Sequence, residues 1–100
     1  MAYGKTLAVL ADPTRRTVFE RLRTGPRSVG EIAAGMPVSR PAVSQHLKAL
    51  QDAGLVRSEP RGTARIYRIH APALAELRDW LDGFWDDALA SFKNHAEKPR

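Results

Sequence analysis

Two helix-start signals, at Ser28 and at Ser39, stand so close together in this chain that only a short helix and a tight connection fit between them. In Ser28-Val29-Gly30-Glu31 the serine hydroxyl can accept from the amide three residues on, while the glutamate reaches back to the serine's own amide, forming a capping box. The helix it opens carries Ile32, Ala33 and Ala34, and Gly35 supplies a residue able to turn left-handed past a helix end. A four-residue connection, Gly35-Met36-Pro37-Val38, leads to Ser39 as the next cap, with Pro41 in the first turn, where its missing amide does little harm. From Ser39 to Ala53, Val43, Leu47 and Leu50 fall on one helical face, and Arg40, Ser44, Gln45 and Lys48 fall on the other. Two helices joined in this way form a helix-turn-helix, a motif whose second helix enters the major groove of DNA.

The flanking segments extend this unit. Tyr3, Leu7 and Leu10 recur at helical spacing up to Asp12, which predicts a first helix. Asp12-Pro13 is a start signal for a second, whose stripe of Val18, Phe19 and Leu22 runs until Gly25-Pro26. Beyond Gly54, Leu55-Val56 begins an extended segment that turns at Pro60-Arg61-Gly62-Thr63 into a second strand, Arg65 to Ile69. Alternation there is imperfect, because Ile66 and Ile69 cannot share a face in a regular strand. Pro72 opens a long helix to about Asn94. The expected fold is mainly α with a small β-hairpin, a winged helix-turn-helix in the order four helices, two strands, one helix. Residues 1–94 read as a single domain and 95–100 as a polar tail without fixed structure.

Composition sharpens the reading. At 100 residues there is material for one core. The net charge of +5 is unevenly spread: residues 1–70 hold 12 Lys/Arg against 5 Asp/Glu, and residues 71–100 hold 4 against 6. A basic body with an acidic end fits a polyanion-binding surface joined to a segment with another task. The absence of cysteine excludes disulfides, thiolate-bound zinc and thiol switches. Leu7 to Ala11 is too short for the apolar core of an export signal, and nowhere do the residues of a membrane span run together, so a cytoplasmic protein is expected. Neither a metal nor another cofactor is expected.

Double-stranded DNA is the partner these features suggest. Arg40, Ser44 and Gln45, in the first turns of the second helix of the motif, offer the donors and acceptors that base edges require, and Lys48 is better placed for phosphate. Ser39 and Pro41 belong to the same helix start. The hairpin carries Arg57, Arg61, Arg65 and Arg68 around Gly62, with Thr63 at its tip, as expected of a wing against the DNA backbone or in a minor groove. Arg61 and Arg65 are the stronger candidates, and Arg57 and Arg68 stand evenly between such a contact and a solvated side chain. His46 stands open between a place at the DNA and a partly packed side chain that bonds the backbone.

Three stretches, Leu10-Ala11-Asp12-Pro13-Thr14-Arg15-Arg16, Val38 through Lys48, and Ala53-Gly54-Leu55-Val56, resemble the ArsR family of bacterial winged-helix repressors, and the resemblance covers nearly the whole chain. It implies recognition through Ser39–Ala53, repression by occupying a promoter, and a homodimer paired through the first and last helices. That pairing would enlist Tyr3 and Leu7 with Leu77, Trp80, Leu81, Phe84, Trp85 and Phe92. The apolar band of the last helix agrees independently, being broader than the ~100° stripe needed to cover one core. The chain departs from the family's metal sensors: it has no thiol, and its last helix offers only His95 beside Asp79, Asp82 and Asp86. The effector therefore stays open.

Two other classes fit the sequence less well. No nucleophile with its base, carboxylate pair or phosphate-cradling loop suggests an enzyme. A winged helix can instead serve as a protein-interaction module without sequence-specific DNA binding, for which an apolar recognition surface is the mark; here that surface is polar and basic.

Overall fold

The structure, a computed structural model, describes residues 2–97, with side chains described from Gly4 to Ala96. Helices α1 (Ala2–Val9) and α2 (Pro13–Glu20) lead to a two-residue strand β1 (Arg27–Ser28), α3 (Val29–Ala33) and α4 (Arg40–Asp52). The hairpin β2 (Val56–Arg61) and β3 (Ala64–Ile69) follows, and α5 (Ala71–Glu97) closes the chain.

The caps form as their residue types dictate. Asp12 accepts from the Arg15 amide at 3.0 Å, Ser28 and Glu31 exchange both bonds of the capping box at 3.3 and 2.9 Å, and Ser39 accepts from the Ala42 amide at 3.3 Å. At the far end of α4, Gly54 takes φ +83°, so that its amide reaches the Gln51 carbonyl and the Leu55 amide reaches the Leu50 carbonyl. This double closure is a Schellman motif, and it delivers Leu55 straight into the core. That core consists of Val9, Val18, Leu22, Ile32, Val43, Leu47, Leu50, Leu55 and Val56.

Three boundaries and one strand differ from the sequence reading. Helix α2 ends at Glu20 rather than near Gly25, because the amides of Leu22, Arg23 and Gly25 each reach back only three residues, in tight turns. Arg27 Nε donates to the Arg21 carbonyl at 3.0 Å and holds that turn. Helix α3 stops at Ala33, with Ala34 as its C-cap, which lengthens the connection to α4. The wing has a third strand: β1 pairs antiparallel with β3, Arg27 opposite Tyr67 and Ser28 opposite Ile66, giving the order β1-β3-β2. Helix α5 reaches Glu97, so residues 95–97, read as tail, are helical, and 98–100 lie outside the described residues.

The β2–β3 register resolves the awkward alternation. Val56, Ser58 and Pro60 share one face with Arg65, Tyr67 and Ile69, while Arg57, Glu59 and Arg61 share the other with Ala64, Ile66 and Arg68. Tyr67 and Ile69 pack on the core, and Ile66 points away from that face. Pro60 is tolerated because β2 is an edge strand.

Helix α5 leaves the body after its first turns. Ala73 and Leu74 pack on the core, but every residue from Leu81 to Ala96 is exposed. A 27-residue helix is ~40 Å long, which explains why the radius of gyration is 17.9 Å when a compact chain of this size has ~13 Å.

Candidate nucleic-acid interface

Helix α4 is anchored by one face and free on the other. Val43, Leu47 and Leu50 are fully buried, so the helix cannot roll, and Ser39, Arg40, Pro41, Ser44, Gln45 and Lys48 are all exposed. This free row is short, uncharged in its middle and basic at both ends. Lys48 makes an ion pair with Asp52 at 3.5 Å, between two exposed side chains one turn apart, and such a pair is worth little against a phosphate.

His46 does not join this row. It is half-buried on the flank of α4 that meets α2, with Nδ1 buried and lacking a hydrogen-bond partner among the described residues. It lies near Asp12, whose carboxyl is held below its ordinary 3.8 chiefly by the Arg15 amide from which it accepts and to a lesser degree by this imidazole. Partial desolvation opposes that lowering.

The wing is braced to α4 by side chains. The Ser58 hydroxyl donates to Gln51 Oε1 at 3.1 Å and accepts from Arg65 Nη1 at 3.0 Å, which ties the last turns of α4 to both strands of the hairpin. Arg65 therefore lies on the α4 side of the wing, beside Ser44, Lys48 and Tyr67. Arg61 sits on the opposite face at the tip, exposed, next to the two-residue turn Gly62-Thr63. The sequence ranks these two arginines alike as backbone candidates, and the register sets them on opposite faces. Arg57 lies beside Arg68 across the strands, and Arg68 pairs with Glu59 at 3.5 Å, so the outer face is partly neutralised.

A second concavity, an open groove of about 620 Å³, runs between α3, the start of α4 and the wing tip, lined by Ser28, Gly30, Glu31, Arg40, Thr63 and Arg65 among others. Here Arg40 lies against α3, its guanidinium Nη2 only 3.0 Å from where a Cβ on Gly30 would stand. Neither Gly30 nor the Gln51–Ser58 brace stood out in the sequence, since each acts through a residue remote along the chain. Two arginines counted in the basic body are structural. Arg21 Nη1 donates to the Ala34 carbonyl at the end of α3 at 2.6 Å, and Arg27 fastens the turn after α2.

On α5, Leu81, Phe84, Trp85, Leu89 and Phe92 are 48–72% exposed, Leu77 and Trp80 are half-buried, and Leu7 of α1 is 41% exposed. Trp80 and Phe84 meet edge to face, with ring centroids 4.9 Å apart. The side chain of Tyr3 lies outside the described residues. Among the described residues no three His, Cys, Asp or Glu side chains are grouped to hold a metal ion, and no helix is long and apolar enough to cross a membrane.

With this geometry established, comparison with known proteins gives a consistent answer. Residues 10–59, from the turn after α1 through most of β2, match the model of a helix-turn-helix domain. The chain is 55% identical to the HTH-type transcriptional regulator Rv2034 of Mycobacterium tuberculosis over 83% of its own length and 78% of that protein. Among solved structures it is similar to an ArsR-like transcriptional regulator from Rhodococcus sp. RHA1, with 34% identity and a TM-score of 0.73 over 98% of this chain and 95% of that one. It is also similar to a homodimeric winged helix-turn-helix DNA-binding domain from Mycobacterium bovis, with 26% identity and a TM-score of 0.69 over 99% and 88% of the respective chains. A helix-turn-helix with a braced basic wing and a long closing helix, matched over nearly its whole length by such proteins, belongs to the ArsR family of winged helix-turn-helix transcriptional regulators.

Proposed function

We propose that the protein is a homodimeric repressor that reads an inverted-repeat DNA operator with the exposed row of α4 and grips the flanking backbone with its wing. The observation that carries this reading is the character of the free α4 face: Arg40, Ser44, Gln45 and Lys48 over a fully buried apolar face. A protein-docking helix would expose an apolar row there instead. Ser44 and Gln45 suit base edges, and Ser39, Pro41 and Lys48 line the approach to the backbone. Thr63 and Arg61 at the wing tip and Arg65 on its inner face supply further backbone contacts. His46, turned toward α2, serves as a packed support for this helix and not as a DNA contact.

Dimerisation is supported by the exposed aromatic and aliphatic side chains that run along α5, the kind of patch that marks an interaction site, and by the homodimeric state of the Mycobacterium bovis relative. We assign the interface to Leu77, Trp80, Leu81, Phe84, Trp85 and Phe92, joined by Leu7 of α1. Two-fold symmetry then requires half-sites about one DNA turn, ~34 Å, or a multiple apart. The protein acts in the cytoplasm as one domain, without enzymatic activity, and represses by occupying promoter DNA.

Selection of bound fragments from the host genome with purified protein tests the proposal. Enrichment of a palindromic site, bound at least ~1000-fold more tightly than random duplex at physiological salt, is the expected result. Retention of no DNA above background, with a protein partner recovered through α4, would mean that the helix docks a protein. Zinc added to chelator-treated protein is expected to leave operator affinity unchanged. A reversible, equimolar loss of binding would instead reveal a site assembled from two subunits, with His95 and the α5 aspartates as the first suspects.

A further inference from the structure

We propose that Gly30 is a seat for Arg40, holding its guanidinium over α3 so that Arg40 and Arg65, from opposite banks of one groove, clamp a phosphate of the operator backbone. The inference rests on the reading that α4 and the wing lie on DNA, and it changes the task of Arg40 from base reading to backbone binding.

Three observations meet here. The Arg40 guanidinium lies over Gly30: a Cβ at that position would stand 3.0 Å from Nη2, 3.1 Å from Cζ and 3.4 Å from Nη1. A Cβ there obliges the guanidinium to give by a few tenths of an ångström, and a larger side chain displaces it further. Gly30 needs no special backbone, since it sits inside α3 without positive φ, so its lack of a side chain is explained by this close approach and not by a turn. Second, the Arg40 guanidinium makes no hydrogen bond or ion pair among the described residues, and Glu31, the carboxylate that shares its groove, has one oxygen bonded by the Ser28 amide. Third, the opposite bank carries Thr63 and Arg65, and Arg65 is held in place by Ser58 through one end of its fork, leaving the other donors free. Two guanidinium groups facing one concavity, one seated and one braced, match the bidentate demand of a phosphodiester. Arg40 lies over α3 at the edge of the groove that faces the wing, where the DNA backbone and not a base edge would run.

The test uses the full chain with a selected operator fragment and a random duplex of equal length, titrated by fluorescence anisotropy between about 50 and 200 mM salt. Arg40→Ala should weaken both duplexes by the same factor and reduce the salt slope by about one, so that its penalty is about three- to fourfold larger at the low-salt end. Gly30→Leu should reproduce that loss, and Gly30→Ala should show a smaller one, while both variants melt no lower than wild type because each improves helix propensity. In an Arg40→Ala background, neither Gly30 change should affect binding further. If Gly30→Leu fails to fold, Gly30→Ala alone carries the comparison. A loss confined to the operator on Arg40→Ala would make Arg40 a base reader and overturn the clamp. Equal losses from the Gly30 changes with and without Arg40 would overturn the seat. Wild-type protein that binds neither duplex would be a different result, removing the DNA-binding reading itself.

Discussion

Gln45 and Arg61 answer to different features of a duplex, and their substitution should separate sequence recognition from charge. Gln45 is exposed on the second turn of α4, where an amide can pair with a base edge. Gln45→Ala is expected to cost about 1–3 kcal/mol on the operator and little on random DNA, read as a ratio of dissociation constants. Arg61→Ala should weaken both alike and flatten the salt dependence; equal losses for the two variants would show that Gln45 has the wrong role. The same scale holds an acid response. The Arg15 amide keeps Asp12 below its ordinary 3.8, and the Ser28 amide and hydroxyl keep Glu31 below 4.5. A carboxylate with a depressed folded-state pKa adds stability that is present above its ordinary value and is lost as pH falls through the folded one. These two caps should therefore leave the melting temperature level between pH ~5 and 8 and lower it below about 4.5. Glu31→Gln should be less stable than wild type at neutral pH and show a shallower acid decline.

Elements were legible in the sequence wherever a local signal specified them. Asp12, Ser28 and Ser39 each cap with their own near neighbours, so α2, α3 and α4 begin where the residues say they should. Strand β1 has no such signal: two residues become a strand only because Tyr67 and Ile66 arrive beside them from the far end of the wing. The end of α2 was hidden for a related reason, since Arg27 reaches back to the Arg21 carbonyl only once the chain has turned. The candidate site divides along the same line. The α4 row follows from helical period, whereas the opposite facing of Arg61 and Arg65 follows from register, and the seat under Arg40 from tertiary approach. The wing brace is a prediction at this scale. Ser58→Ala removes both the bond to Gln51 and the one from Arg65, and should lower stability by ~1 kcal/mol in urea unfolding. It should also speed amide exchange in β2 and β3 while leaving α4 protected. Unchanged exchange in the hairpin would mean that the backbone ladder alone holds the wing.

As a whole molecule the protein is a small body with a long projecting arm, 67 Å along its greatest extent against 26 and 24 Å across. The arm is where the body is incomplete, and Trp85, 64% exposed in one chain, is the side chain with most to gain from a second copy. Trp85→Ala is expected to weaken the dimer by about 2 kcal/mol or more, a roughly 30-fold rise in dissociation constant measured by sedimentation equilibrium. Because the residue touches little of its own chain's core, the helical signal in far-ultraviolet dichroism should persist. A wild-type protein that sediments as a monomer at micromolar concentration would remove the assignment of α5 to pairing.

The uncovered face of α5 also bears on dosage. When a site is bound by pairs but the pairs must first form from single chains, the concentration of binding species rises as the square of the number of chains for as long as most of them are single. Doubling synthesis in that regime raises promoter occupancy up to fourfold from a low base, and dilution at cell division lowers it by the same rule. The aromatic arm would then set a threshold, turning a modest change in abundance into a decision about transcription without any ligand.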